Sequence, residues 1–123
     1  MIIFKKLIHN FIKIIRKIFN NTLKNESSTS KILIGKNSKI FPARRVDGEQ
    51  YIVIGDNTTI MPDAWLSAYD KYWNFTYKPS INIGNSVYIG SRACITGINK
   101  ITIGDYCVIS EDVYISDHMH GVN

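Results

Sequence analysis

From residue 32 onward, bulky aliphatic residues return every six positions. They fall into four groups: Ile34, Ile40, Val46; Ile54, Ile60, Leu66; Ile83, Ile89, Ile95; and Ile103, Ile109, Ile115. The residue two places earlier is small or aliphatic at Ile32, Ser38, Ile52, Thr58, Ala64, Ile81, Val87, Ala93, Ile101, Cys107 and Val113, with Arg44 the exception. A period of six matches neither the 3.6 of an amphipathic helix nor the simple alternation of one strand. It suits a triangular prism in which each face is a short strand and each corner a tight turn. Alternate strand residues share a face, so each aliphatic and its partner two places before it point inward together. Three hexads make one coil of about eighteen residues, and coils stacked about 4.8 Å apart would span roughly 15–20 Å for four coils. A β-sandwich would alternate apolar and polar residues without holding one six-residue phase across so many hexads.

The corners carry their own signal. Glycine follows the aliphatic at Gly35, Gly55, Gly84, Gly90 and Gly104, and the strings "IGKNS", "IGDNT", "IGNSV" and "IGDYC" place the glycine and its polar followers where turn conformations are expected. Val46 to Ile54 and Ile95 to Ile103 are eight residues apart, so two corners hold two extra residues each. Leu66 to Ile83 is seventeen. A loop over about 68–80, "AYDKYWNFTYKPS", therefore bulges from the prism. Its aromatic content suits a subunit interface or substrate wall, or else a local hydrophobic cap.

The net charge of +5 is uneven. Residues 1–25 hold six basic side chains and no acid, +6, which leaves nine basic and ten acidic residues, −1, for the rest. The body is therefore not a basic nucleic-acid-binding surface. Within "MIIFKKLIHNFIKIIRKIF" no uninterrupted apolar run approaches the ~20 residues of a spanning helix, and no secretory-signal core is present. Phe4, Leu7, Ile8, Phe11, Ile15, Ile18, Phe19 and Leu23 fall on one stripe of a helix, with most of the basic residues off it. An amphipathic α-helix over 1–25 would make peripheral contact with an anionic membrane surface or pack on protein. Residues 26–31 belong to a polar linker, and 32–123 form the repeat domain. The two cysteines, Cys94 and Cys107, lack any paired spacing and fit reduced thiols in a cytoplasmic protein.

The chain closes on "YISDHMHGVN". His118 lies three residues past Ile115, at a corner, where its side chain would face outward into a cleft. His120 is a candidate for site support or for loop structure. Asp117 is a candidate to orient an imidazole, although neighbouring side chains of an extended segment point apart. Asn99, in the turn "TGINK" one coil below, is a candidate acceptor contact.

The hexads, and above all "INIGNSVYIGSRACITGINKITIGDYCVISEDVYISDHMHG", resemble the hexapeptide-repeat acyltransferases, over about residues 32–123. The similarity is to the branch containing galactoside and maltose acetyltransferases, and the "ISDHMHG" ending looks most like the capsule and exopolysaccharide O-acetyltransferases. The resemblance implies an all-β fold, a left-handed parallel β-helix of about four coils, and a homotrimer with active sites between subunits. It implies transfer of an acetyl group from acetyl-CoA to a hydroxyl of a sugar or polysaccharide precursor, with His118 as general base. That role is chemically sound. A sugar hydroxyl is a poor nucleophile near neutral pH, imidazole takes its proton as the bond forms, and backbone N–H groups stabilise the oxyanion. An N-terminal helix would then hold the protein at the inner membrane face.

The resemblance is incomplete. Family members continue past this histidine with further hexads, typically a "VWIG" coil and a "GAGSVV"-like ending, which build much of the acetyl-CoA groove. Here the chain runs five residues beyond His118. The expectation is a C-terminally truncated acyltransferase; the alternative is an inactive β-helix remnant that binds or assembles only. A hexapeptide-repeat carbonic anhydrase would need three histidines on zinc, and the body supplies only His118 and His120, so no metal site is expected.

Overall fold

In a computed structural model of the chain, the residues described are 10, 12–14 and 32–119. The chain divides into two units, Met1–Ser30 and Lys31–Asn123. Of the first unit, residues 10 and 12–14 are helical; the rest of the expected helix over 1–25, and the linker 26–31, lie outside the described residues. Among the described residues no helix is long and apolar enough to cross a membrane.

The second unit is built almost wholly of short strands. A first pass of the chain forms β1 (Leu33–Ile34), β2 (Lys39–Ile40) and β3 (Arg45–Asp47). A second forms β4 (Ile52–Ile54), β5 (Thr59–Ile60) and β6 (Trp65–Ala68). An antiparallel hairpin, β7 (Lys71–Tyr72) and β8 (Phe75–Thr76), intervenes. Then come β9 (Ser80–Ile83), β10 (Tyr88–Ile89) and β11 (Cys94–Gly97), and finally β12 (Lys100–Ile103), β13 (Val108–Ile109) and β14 (Tyr114–Ser116). The strands sort into three parallel sheets, β1-β4-β9-β12, β2-β5-β10-β13 and β3-β6-β11-β14. The chain thus visits the three sheets in rotation.

Register turns the six-residue period into three stacked rows. Ile34, Ile54, Ile83 and Ile103 align in the first sheet. Ile40, Ile60, Ile89 and Ile109 align in the second, and Val46, Leu66, Ile95 and Ile115 in the third. All of these but Ile34, with Ile52, Ala64, Ile81, Val87, Ala93 and Ile101, form or pack against one hydrophobic core. Burial is complete in the middle passes, which have neighbours on both sides. It weakens at the outer ones: Ile34, expected inward, is 45 % exposed. Thr58, fully buried at an inward corner, donates from Oγ1 to the Gly84 carbonyl at 2.8 Å and accepts the Val87 N–H at 3.1 Å. Its counterpart one pass earlier, Ser38, donates to the Gly55 carbonyl and accepts the Thr58 N–H. Hydroxyls here tie consecutive passes together.

The glycines act differently from expectation. The left-handed residue at these corners is the third after the aliphatic: Asn37, Asn57, Asp63, Ser86, Arg92, Tyr106 and Asp112 all have φ between 54° and 65°. At Gly35, Gly55, Gly84 and Gly90, though not at Gly104, the glycine is needed for space. A Cβ on Gly55 would overlap Asn85 Oδ1 and lie 2.7 Å from the Gly84 carbonyl carbon. That closeness lets an Asp or Asn side chain accept the next corner's N–H, as Asp56 does from Lys36, Asn85 from Asp56 and Asp105 from Asn85, at 2.7–2.8 Å.

The extra residues fall at one corner of the three, between the third sheet and the first. There lie Gly48 (φ 68°) with the 3-10 turn Glu49–Tyr51, the hairpin, and the turn around Asn99. The hairpin occupies the predicted interval between Ala68 and Ser80. Its tip stands in solvent, with Trp73 80 % and Phe75 65 % exposed, so these two rings do not cap the core.

Candidate functional site

The same corner carries Asp117 and His118, just past β14. The segment bends at Asp117, and this overturns the expectation that the two side chains point apart. Asp117 Oδ1 lies 3.1 Å from His118 Nδ1. Both side chains are mostly buried.

Asp117 is itself fixed by the turn one pass below. Its Oδ1 accepts the Ile98 N–H at 2.9 Å, and its Oδ2 accepts the N–H groups of Asn99 at 2.8 Å and Lys100 at 2.7 Å. Three successive amides aimed at one carboxylate form an anion-binding nest. Burial alone would raise the carboxyl's pKa, but the bonds from Ile98, Asn99, His118 and Lys100 outweigh it and hold the group below the usual carboxylate range. Asn99 therefore enters the site through its backbone. His120 lies outside the described residues.

The tautomer of His118 follows from its neighbours. Ionised Asp117 is an acceptor only. Ser116 Oγ, 3.2 Å from the same Nδ1, donates its own hydrogen to the His118 carbonyl at 2.9 Å, so it too accepts from the ring. Both partners require a hydrogen on Nδ1. The neutral ring then carries its basic lone pair on Nε2.

His118 lines a cleft of about 310 Å³ with Arg45, Trp65, Tyr69, Tyr72, Cys94, Thr96 and Tyr114. The volume sits at the small end of the range for small-molecule sites. The floor is the outer face of the third sheet, where Arg45, Trp65, Cys94 and Tyr114 align in one row and Asp47, Ser67, Thr96 and Ser116 in the next. The hairpin and its base supply Tyr69 and Tyr72, which places part of the aromatic loop on the cleft wall.

At one end of the cleft the lining residue Arg45 shares the Trp65 indole with Arg44, which stands beside the lining. The guanidinium carbons of Arg44 and Arg45 lie 5.2 and 5.0 Å from the Trp65 ring centroid. Arg45 Nε donates to Asp47 Oδ2 at 2.6 Å, and Ser67 Oγ donates to the same oxygen at 2.7 Å while accepting Trp65 Nε1–H at 2.7 Å. The indole and one cation are thus locked in place. Burial raises the Cys94 thiol's pKa, against the pull of Arg44, so this cysteine stays a protonated thiol rather than a thiolate nucleophile. Cys94 and Cys107 are both free.

Sequence reasoning singled out His118 and Asp117 but not Arg45, Trp65, Cys94 or Tyr114. These four immediately precede Val46, Leu66, Ile95 and Ile115, the inward row of one sheet. Reading the outward position of every third hexad would have aligned them. Comparison of the chain with protein-family models, with curated proteins and with solved structures gave no match.

Proposed function

We propose that this protein is an acetyl-CoA-dependent O-acetyltransferase of the hexapeptide-repeat kind, that its three sheets wind as a left-handed β-helix of about four coils, and that it acts on a sugar or polysaccharide precursor. The observation that carries the reading is the Asp117–His118 pair. The imidazole is oriented through Nδ1 by a carboxylate that three backbone amides hold ionised, and the ring borders a small aromatic cleft.

In this reaction His118 Nε2 takes the proton of an acceptor hydroxyl as its oxygen attacks the thioester carbonyl carbon. The tetrahedral intermediate collapses, the C–S bond breaks, and the imidazolium returns the proton to the departing thiolate, giving the acetyl ester and free CoA. Asp117 stabilises the transient imidazolium and fixes the tautomer, as a carboxylate does when it orients a catalytic histidine. Acetyl-CoA is the donor substrate. The same reading makes the chain a homotrimer and places it in the cytoplasm, at the inner membrane face, through residues 1–25.

The test is release of free thiol from acetyl-CoA by the 123-residue chain with a panel of neutral and anionic sugars. Transfer is expected, with a loss of about 10²–10⁴-fold in His118→Ala. Asp117→Asn should lower kcat more than it changes KM and should shift the pH profile. Absence of transfer to every acceptor, or a His118→Ala variant as fast as the parent, would overturn the reading.

A further inference from the structure

The cleft has a polarity along its length that the proposed chemistry does not use. His118 stands at the β14 end, beyond Tyr114. Arg44 and Arg45 share the Trp65 indole, toward the opposite edge of the same sheet. Trp65 and Tyr114 are two strands apart in one register row, about 10 Å at the ordinary strand spacing. Of these two guanidiniums Asp47 pairs with Arg45 alone, so the two arginines and Asp47 carry one positive charge in excess. Among the described residues Arg44 forms no ion pair; its contact is with the ring. The Asp117 charge at the far end is already taken up by three amides and the imidazole. An anion at the Arg45 end of the cleft would meet this excess positive charge, and guanidinium forks are donors suited to carboxylate or phosphate.

The cleft walls suit sugar rings. Tyr72 and Tyr114 are each more than 40 % exposed and border the cleft, offering faces on which the C–H side of a pyranose packs. Their hydroxyls and the nearby Thr96 hydroxyl supply polar contacts.

We propose that the cleft binds an anionic disaccharide unit: a sugar bearing a carboxylate or phosphate lies against Arg44 and Arg45, and the neighbouring sugar presents its hydroxyl to His118. The acceptor is thereby at least two sugars long, because a span of about 10 Å exceeds one ring. This inference rests on the proposed acetyl transfer for the role of the hydroxyl; the binding preference does not depend on it.

The experiment separates the two. The chain contains two tryptophans, Trp65 and Trp73, so in a Trp73→Phe background fluorescence reports on Trp65 in the cleft. This protein is titrated with a neutral disaccharide, its 6-carboxylate counterpart and its 6-phosphate counterpart. At least one anionic form is expected to bind at least tenfold more tightly than the neutral one, and the carboxylate and phosphate arms tell which anion is preferred. The corresponding anionic monosaccharides are expected to bind at least tenfold more weakly than that disaccharide. Arg44→Gln with Arg45→Gln should abolish the charge preference, and raised salt should weaken it. His118→Ala should keep the preference while losing transfer. Equal affinity for charged and neutral forms, a preference unchanged by the arginine substitutions, monosaccharides that bind as well as disaccharides, or no binding at all would each overturn the inference. Anion-selective binding without acetyl transfer would sustain the inference and remove the proposed reaction; transfer without anion selectivity would do the reverse.

Discussion

Replacing Asp117 by Asn tests whether one carboxylate fastens the last described turn to the pass below it. The carboxylate offers two oxygens to four donors: the amides of Ile98, Asn99 and Lys100 and the ring Nδ1 of His118. An amide keeps one oxygen and turns the other position into a donor. In the better orientation the oxygen serves Asn99 and Lys100, and the NH₂ group faces the Ile98 N–H and the His118 ring N–H. Two bonds to a charged acceptor are then lost and two donors meet a third. A hydrogen bond to a charged group contributes about 1.5–3 kcal/mol, and a stranded donor at a buried site costs about 1–3 kcal/mol. The contributions overlap, so the expected loss is about 2–4 kcal/mol. For a domain of this size that lowers Tm by roughly 10–25 °C. The pH dependence has a definite sign. The carboxyl's pKa is depressed in the folded protein, so its contribution is fully present above the unfolded value, about 3.9. It disappears as pH falls through the folded value, below that point. Thermal unfolding followed by circular dichroism should therefore show a wide gap between parent and variant at pH 7 that narrows below about pH 4. A gap under about 0.5 kcal/mol, the scatter of ordinary surface substitutions, or a gap that ignores pH, would refute the picture of a carboxylate seated in an amide nest.

Two further substitutions probe the stacking itself. Thr58→Val leaves the buried Val87 N–H without its hydroxyl partner and should cost about 1–3 kcal/mol in denaturant unfolding, while Thr58→Ser should recover most of it; an unchanged midpoint for Val would remove the hydroxyl tie. Gly55→Ala should destabilise by about 1–3 kcal/mol, because the new methyl meets the Gly84 backbone. Gly104→Ala meets nothing within 4 Å and should be neutral or slightly stabilising, and equal losses at the two positions would refute the spatial account of the glycine column.

The six-residue phase made the parallel strands and the inward rows legible, because a core fed by one or two inward side chains from each short strand leaves little choice of residue. It could not say how the corners turn. Glycine after the aliphatic suggests a left-handed turn, yet that conformation falls two residues later and is borne by Asn, Asp, Ser, Arg or Tyr. The close approach between passes, which requires glycine, is invisible in a single repeat. Ser38 and Thr58 looked like small core residues; their hydroxyls serve backbone groups on the neighbouring pass. Asp117 is a sequence candidate to orient His118, against the rule that an extended strand sends neighbouring side chains apart. The bend at Asp117 breaks that rule, and its carboxylate is held by amides about eighteen residues away, at Ile98, Asn99 and Lys100.

These cases share one physical origin. In a fold whose passes repeat, side chains along the chain fix the core, but contacts across passes fix the site. A corner tolerates insertion because it points away from the aliphatic rows, so added residues cost little in packing. Here the hairpin, the 3-10 turn and the Asn99 turn all use the corner between the third and first sheets, at the end of the sheet whose outer face carries Arg45, Trp65, Cys94 and Tyr114. Each of those four sits one residue before an inward aliphatic and is free of the core's demand for small apolar groups. The outer row of one sheet and the insertions at one corner are therefore where a cleft of cations, aromatic rings and an oriented imidazole can be assembled without disturbing the rows that hold the protein together.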